Sequence, residues 1–225
     1  MIAIIDYGMG NIHSVKKALE LCGAKTLVTH QPEDIRDCDK AVFPGVGAFD
    51  DCLLELRRQN LIPAISGHIQ AKKPFLGICL GMQVLFDSSE EARQTKGLGI
   101  LKGRVIKFKS QPRQKVPHMG WNQLKIKNQK STLRFRSGLM VSVVEPSKIK
   151  NNCPLLKDVS DNAYVYFCHS YYPVPEDKNI IAADCDYGQD FAAVVWQDNI
   201  YGVQFHPEKS QAVGLKMLGN FVELC

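Results

Sequence analysis

The sequence predicts an α/β fold, with an open, mostly parallel β-sheet that is flanked by helices and extended by antiparallel strands. In the first half, short apolar runs alternate with amphipathic helical stretches, which is typical of βαβ units whose sheet is covered on both faces. In the second half, β-rich runs follow one another with turns between them. The 225 residues fit one domain over 1–225, without repeats or a low-complexity linker.

The elements of the first half are marked by their apolar patterns. IAIID predicts a buried first strand, GMGN a loop, and IHSVKKALELCG an amphipathic helix with Asn11 as its N-cap. TLVT, KAVFPG and PFLGI predict three more strands. Helices are predicted in two further stretches, AFDDCLLELRRQNLIPAISGHIQAKK and MQVLFDSSEEA.

The second half predicts strands in GILKGRVIKF, WNQLKI, YVYFCHSYYPV, NIIAADCDYG, FAAVVWQ and NIYGVQF, and a last helix in QAVGLKMLGNFVEL. Ligands of open α/β sheets bind at the carboxyl ends of the strands. Residues that directly follow an apolar run are therefore the candidates for a functional site.

The composition excludes several classes of protein. No apolar run approaches the ~18 residues that span a bilayer, and MIAIIDYG lacks the basic region of a signal peptide. The eight cysteines include no C-x-x-C pair, which argues against a zinc site and against a thioredoxin-type redox pair. We expect free thiols and a cytoplasmic protein.

The charge distribution and the glycine pattern argue against nucleic acids and nicotinamide cofactors as ligands. The net charge of +5 owes much to the stretch between Lys102 and Lys130, which carries no zinc-finger, helix-turn-helix or RNP-like signature. A nucleic acid is therefore not an expected partner, and a membrane is not expected either, because no apolar run is long enough to span a bilayer. Gly8-Met9-Gly10 lacks the third glycine of the dinucleotide fingerprint, so a nicotinamide cofactor is not expected.

The stretch GICLGMQ, residues 77–83, places Cys79 between two glycines at a predicted strand-to-helix turn. This is the pattern of a nucleophile elbow. A sharp turn forces the nucleophile into strained backbone angles and presses its neighbours against adjacent chain, where only glycine avoids a clash. Because buried core cysteines are also common, the motif alone leaves Cys79 open between a nucleophile and a core residue.

A second loop, FHPE, follows the predicted strand IYGVQF. Pro207 fixes its own φ and favours an extended backbone at His206, so the side chains of His206 and Glu208 point to the same side. They are the candidates for an imidazole base and the carboxylate that orients it, although a loop histidine beside an unrelated glutamate is the simpler alternative. His118 and His169 lie in aromatic-rich segments and are predicted to form walls of a pocket.

A third loop, PGVGAF, follows the predicted strand KAVF. Gly45 and Gly47, on either side of Val46, allow backbone N–H groups to turn toward a common point, as an oxyanion hole requires. Alone, such a stretch is most often a simple turn. In combination, the three loops supply a nucleophile, a base with its orienting group, and oxyanion donors, and they indicate acyl transfer through a thioester.

PGVGAF, GICLGMQ and FHPEKS, in this order, resemble the class I glutamine amidotransferases, whose catalytic set is Cys, His and Glu. VPHMGWN (116–122) and YFCHSYY (166–172) are similar to the glutaminase subunit of imidazole glycerol phosphate synthase, in histidine biosynthesis. The resemblance covers nearly the whole chain, although the segment between 122 and 151 is longer than is usual in the family. It implies the class I glutamine amidotransferase fold and one amidotransferase domain over 1–225.

The resemblance also implies a set of catalytic roles. Cys79 would attack the side-chain amide of glutamine, His206 would protonate the departing ammonia, and Glu208 would orient His206. Water would then hydrolyse the glutamyl thioester. The backbone N–H groups of the Gly45–Gly47 loop and of Leu80 would stabilise the oxyanion.

Substrate and partner contacts follow from the same resemblance. Gln83 and the backbone around Ser170 and Tyr171 would hold the amino-acid end of glutamine. Ammonia would pass to a separate (β/α)8-barrel cyclase subunit, which would use it on a phosphorylated ribulosyl nucleotide precursor to give imidazole glycerol phosphate and an aminoimidazole carboxamide ribotide. The residues at family positions that face this partner are Asn11, Trp121, Tyr166 and Lys209.

Two alternatives to this function stay open. One is a paralogous glutaminase that supplies ammonia to a synthetase amidinating surface sugars. The other is a catalytically idle binding subunit, which the presence of Cys79, His206 and Glu208 argues against. None of these hypotheses calls for a metal or a cofactor.

Overall fold

A computed structural model describes residues 1–110, 114–127 and 153–225. The strands are β1 (Ile2–Ile5), β2 (Thr26–Thr29), β3 (Lys40–Gly45), β4 (Phe75–Cys79), β5 (Ser88–Ser89), β6 (Gly103–Lys107), β7 (His118–Ile126), β8 (Tyr164–His169), β9 (Tyr171–Pro175), β10 (Ile181–Asp186), β11 (Asp190–Gln197) and β12 (Ile200–Val203). The helices are α1 (Ile12–Leu21), α2 (Pro32–Asp37), α3 (Phe49–Arg58), α4 (Leu61–Gln70), α5 (Leu80–Gln83) and α6 (Gln211–Leu224).

Parts of two predicted features lie outside the described residues. They are most of the longer segment between 122 and 151, and residues 111–113 and 128–130 of the lysine-rich stretch between Lys102 and Lys130. Within the described ranges, no helix has the length and apolar character needed to cross a membrane.

The main sheet contains nine strands of the described chain, in the order β2-β1-β3-β4-β12-β11-β10-β7-β8. The strands from β2 to β12 in this order pair in parallel. From β12 to β8 the pairs are antiparallel. The predicted α/β class is therefore confirmed, as a mixed sheet to which the second half of the chain adds the antiparallel strands.

The central parallel strands are buried on both faces because helices cover the sheet from both sides. Successive residues of β3 show this: Val42 packs in the cluster that contains residues of α1 and α6, whereas Ala41 and Phe43 pack in the cluster that contains residues of α3 and α4. This alternation follows from the period of two of a β-strand. Because helices cover both faces of the sheet, a ligand can reach these strands at their carboxyl ends.

The prediction of a helix over MQVLFDSSEEA is wrong, because α5 ends at Gln83. The carbonyl groups that would continue the helix instead accept hydrogen bonds from a loop. Leu98 N–H donates to the Val84 carbonyl at 2.8 Å, and Ile100 N–H donates to the Leu85 carbonyl at 2.9 Å. The apolar pattern reflects burial of this segment, and long-range backbone pairing decides its conformation.

Two other predicted elements are divided in the structure. Asn60, with a left-handed φ of 56°, separates α3 from α4 within the single helix that was predicted. YVYFCHSYYPV forms β8, which pairs with β7, and β9, which pairs with β6 in a separate sheet that has three strands in the described part of the chain. The chain therefore passes from one sheet to the other at Ser170, between β8 and β9.

The contribution to stability of the close contact between α6 and the loop after β12 can be tested by substitution. A Cβ atom on Gly214 would lie 1.9 Å from the Pro207 carbonyl oxygen, whereas a Cβ atom on Gly219, in the same helix, meets only Cys22 Sγ, at 3.9 Å. We expect Gly214→Ala to lower the free energy of unfolding by about 1–3 kcal/mol, because the helix and the loop must move apart. The measurement is the urea unfolding midpoint.

Gly219→Ala is the matched control. Because this position has room for a methyl group, alanine is expected to raise the free energy of unfolding by about 0.5–1 kcal/mol through its higher helix propensity. Equal shifts of the two midpoints would show that the contact between α6 and Pro207 does not limit stability.

Candidate active site

The three loops predicted to form a site meet at one cavity of about 330 Å³, beside the carboxyl ends of β3 and β4. The sequence-predicted residues that line it are Val46, Gly47, Cys79, Leu80, Gln83, His169, Ser170, Tyr171, His206 and Lys209. Gly45 is the partner of Cys79 in the β3–β4 register. Glu208 bonds to His206.

The remaining predicted residues lie outside the lining of this cavity. They are Asn11, Trp121, Tyr166 and His118. His118 was expected as a wall of the pocket, but it packs against His169, with 5.3 Å between the ring centroids.

Cys79 has the strained backbone expected of a nucleophile elbow. Its φ is 54° and its ψ is −110°, a conformation that L-residues rarely adopt. The flanking glycines are required by close approach: a Cβ atom on Gly77 would lie 2.6 Å from the Gly81 carbonyl oxygen, and one on Gly81 would lie 1.9 Å from the Phe43 carbonyl oxygen. The neighbouring chain therefore holds the turn in place and directs residue 79 into the cavity.

His206 and Glu208 form a buried pair. His206 Nδ1 lies 2.9 Å from Glu208 Oε1, with the two side chains 5% and 1% exposed. Burial lowers the pKa of His206, but the hydrogen bonds of its imidazole with Cys79 and Glu208 act in the opposite direction and raise the pKa above the ordinary range of histidine. The site therefore stabilises an imidazolium beside the sulfur.

The backbone of His206 is extended, as Pro207 predicts, with a φ of −101° and a ψ of 96°. Its N–H donates to the Tyr166 carbonyl at 2.9 Å, and its carbonyl accepts from Ser210 Oγ at 2.6 Å. Ser210 Oγ in turn accepts from the Tyr166 N–H at 3.0 Å. Strand β8 thus fixes the loop that carries the imidazole.

Asn11 was predicted as the N-cap of α1, but its side chain makes no capping hydrogen bond. Its Nδ2 instead donates to Glu208 Oε1, at 3.4 Å. Asn11 thus occupies the predicted N-cap position without making the capping bond, and Glu208 is the partner of its amide nitrogen. Asn11 therefore belongs to the surroundings of the His206–Glu208 pair.

The sequence analysis overlooked two polar residues at the site. Gln204 is completely buried, and its Nε2 donates to Cys79 Sγ at 3.6 Å. Its signal in the sequence is a polar residue inside the apolar run YGVQF. Glu91 lines the cavity and accepts from the Phe49 N–H at 3.0 Å, and no local pattern singles it out.

The described residues contain no group of three or more His, Cys, Asp or Glu side chains that could hold a metal ion. The chemistry that the observed side chains can perform is nucleophilic: a sulfur, an imidazole in contact with it, and a carboxylate behind the imidazole.

The contribution of Glu208 to the charge of His206 can be measured. In Glu208→Gln the neutral amide no longer stabilises the imidazolium, so the titration midpoint of His206 should fall by roughly one pH unit. NMR titration of the imidazole protons measures this midpoint. Glu91→Gln removes a carboxylate from the same cavity without touching His206, and its effect on the midpoint should be much smaller. Equal effects would contradict the assignment of the pair.

Comparison with known proteins agrees with this geometry. A family model described as glutamine amidotransferase class-I matches residues 3–224. The imidazole glycerol phosphate synthase subunit HisH of Syntrophotalea carbinolica is 44% identical over 229 residues, covering 100% of both chains. The same subunit of Thermosynechococcus vestitus is 47% identical, covering 99% of this chain and 96% of its own.

A solved structure with the same fold is that of PurLQS from Thermotoga maritima. It has a TM-score of 0.70 at 16% identity, and the match covers 98% of this chain and 96% of that chain. At this identity the likeness concerns the fold alone. The family match and the full-length relatives show that the chain belongs to the class I glutamine amidotransferases and, within them, to the family of imidazole glycerol phosphate synthase HisH subunits.

Proposed function

We propose that this chain is the glutaminase subunit of an imidazole glycerol phosphate synthase and hydrolyses glutamine to glutamate and ammonia through a thioester on Cys79. The observation that carries the proposal is the cavity in which the Cys79 sulfur, the His206 imidazole and the 45–47 loop converge. The family membership supports the pathway.

In the first half of the reaction, the Cys79 thiolate attacks the carbonyl carbon of the glutamine side chain. The negative charge that develops on the carbonyl oxygen is stabilised by backbone N–H groups of the Gly45–Gly47 loop and of Leu80. His206 gives its proton to the leaving nitrogen, the C–N bond breaks, and ammonia departs from a glutamyl thioester.

In the second half, water replaces the ammonia. The neutral imidazole of His206 takes a proton from the water as its oxygen attacks the thioester carbon. The C–S bond breaks, glutamate is released, and the thiolate and the imidazolium are restored. Glu208 holds the imidazole in one orientation through both halves and stabilises its charged form.

Gln83 is the proposed contact for the amino-acid end of glutamine. Its Nε2 donates to the Tyr171 carbonyl at 2.8 Å and to Gln204 Oε1 at 3.1 Å, which occupies both of its N–H bonds. The amide oxygen is then the part of Gln83 that remains for the substrate, and the α-ammonium group of glutamine is a matching donor. The backbone around Ser170 and Tyr171 is the second proposed contact, and both residues line the same cavity.

The proposed nucleophile is tested by Cys79→Ala, which should abolish glutamate release from glutamine, since no thioester can form. Synthesis by the partner subunit from added ammonia should persist. Glutamate is measured by an enzymatic assay, and the imidazole product is measured in the reconstituted complex. Cys168→Ala is the matched control, because Cys168 lines the same cavity and is expected to be dispensable. Glutamate release by the Cys79 variant would overturn the proposal.

The proposed partner is a (β/α)8-barrel cyclase subunit, bound at the exposed face of β7 and β8. Trp121 and Tyr166 are register partners there, with ring centroids 6.0 Å apart. The Lys209 ammonium lies 5.9 Å from the centroid of the Tyr166 ring, and Lys209 also lines the cavity. The face is therefore contiguous with the site that would produce ammonia, and aromatic and cationic side chains are typical of interface centres.

Asn11 is a further proposed contact with the partner, and its bond to Glu208 connects this contact with the catalytic pair. A cytoplasmic location belongs to the same proposal. No contact in the described chain favours a sugar-amidinating synthetase as the partner, and the relatives named above are HisH subunits.

The proposed interface is tested by Trp121→Ala. Because a buried interface tryptophan commonly contributes about 2 kcal/mol or more, binding to the cyclase subunit should weaken by roughly 30-fold, with unfolding of the isolated chain little changed. Isothermal titration calorimetry measures the affinity. Leu21→Ala is the control, since Leu21 is also a large exposed apolar residue but lies on α1. Unchanged affinity in the Trp121 variant would exclude this face as the interface.

A further inference from the structure

A chain of hydrogen bonds runs from Asn122 on β7 to the sulfur of Cys79. In its first half, Asn122 Nδ2 lies 3.3 Å from His118 Nε2, and His118 Nδ1 lies 3.3 Å from His169 Nε2. His169 Nδ1 lies 2.9 Å from the Tyr171 carbonyl oxygen. The donors and acceptors along this chain can be assigned from its two ends.

The Tyr171 carbonyl only accepts, so His169 carries its proton on Nδ1. Burial lowers the pKa of His169 to about 3 and that of His118 to about 4, so both rings are neutral near pH 7. His169 Nε2 then accepts from His118 Nδ1, and His118 Nε2 accepts from the Asn122 amide. Asn122 is itself oriented, because its Nδ2 also donates to the Asp186 carbonyl, at 2.8 Å.

The second half of the chain begins at the same Tyr171 carbonyl, which accepts from Gln83 Nε2. The other N–H of that amide donates to Gln204 Oε1, so the nitrogen of Gln204 faces Cys79 Sγ with an N–H to donate. A flipped Gln204 amide would set two N–H groups against each other and its oxygen against the sulfur. The orientation of Gln204 is therefore determined by contacts remote from Cys79.

We propose that Gln204 is a further functional residue of the site, whose amide N–H stabilises the Cys79 sulfur as a thiolate. The inference rests on the proposed role of Cys79 as the nucleophile. A hydrogen bond to an ionised acceptor is about twice as strong as one between neutral groups, so this contact favours the thiolate over the thiol. The interaction of Cys79 with His206, which raises the pKa of the imidazole, favours the same charged form of the sulfur.

Other titratable groups face Cys79 from several elements. His206 bonds to the sulfur and Tyr7 interacts with it electrostatically. Among the described residues that line the cavity, five more are titratable, Glu91, Cys168, His169, Tyr171 and Lys209. All of these groups are retained in a variant at position 204. A change in the pH dependence of Cys79 reactivity on such a substitution therefore reports the loss of the amide N–H.

The test is alkylation of Cys79 by iodoacetamide in the full chain, followed across pH by mass spectrometry of the peptide that contains it. Gln204→Met has a similar shape without a donor. We expect its alkylation at pH 7 to be roughly tenfold slower than that of the unmodified chain, the loss typical of a hydrogen bond to a charged group. The difference should vanish at high pH, where the thiolate forms without help.

Asn220→Leu is the matched control. Asn220 is another buried amide, and its Nδ2 donates to the Leu155 and Lys157 carbonyls, at 3.1 and 2.7 Å, away from the cavity. This variant should unfold more easily but alkylate Cys79 with an unchanged pH profile. If Gln204→Met does not fold, Gln204→Glu replaces the donor by a carboxylate and should slow alkylation further.

The outcomes separate this inference from the proposed function. An unchanged pH profile in the Gln204 variants, or equal slowing at all pH values, would overturn the role of Gln204. If Cys79 of the unmodified chain reacted no faster than Cys168, the assignment of Cys79 as the nucleophile would itself be overturned. Slowing of Cys79 alkylation that is confined to lower pH supports both the role of Gln204 and the assignment of Cys79 as the nucleophile.

Discussion

The site depends on the close approach of three backbone segments around Cys79. A Cβ atom on Gly45 would lie 2.7 Å from the Gly81 amide nitrogen, and the other contacts of this kind join Gly77 to Gly81 and Gly81 to Phe43. Because these contacts involve backbone atoms, no rotamer change relieves them. They hold β3, β4 and the first turn of α5 together, and they keep Cys79 in a conformation it would not adopt alone.

The electrostatics of the site are arranged around the sulfur that this turn presents. The imidazole of His206, held by Glu208, is stabilised in its charged form. Gln204 supplies a neutral donor to the sulfur. The two differ in the proposed mechanism, in which His206 exchanges a proton whereas the Gln204 amide keeps its protons. In this proposal, His206 carries out the acid–base chemistry, and the Gln204 amide contributes electrostatic stabilisation of the same sulfur.

The features that the sequence predicted correctly depend on short stretches of chain. The parallel strands follow from apolar runs, and the extended His206 follows from the proline after it. The predictions failed where a hydrogen-bond partner that is distant in sequence determines the local conformation. The residues after Gln83 leave the helix because their carbonyl groups bond to a loop near Leu98, and the Asn11 amide reaches a glutamate far along the chain. Gln204 was missed for the same reason, since its partners are distant in sequence.

The left-handed backbone at Cys79 also restricts which side chains can occupy this position. Its φ of 54° is tolerated by an unbranched side chain at some cost, but a β-branched residue there is a genuine outlier. Serine therefore remains compatible with the turn, whereas threonine would have to distort it. Among the hydroxyl and thiol nucleophiles, the steric demands of the backbone thus disfavour threonine before any difference in reactivity applies.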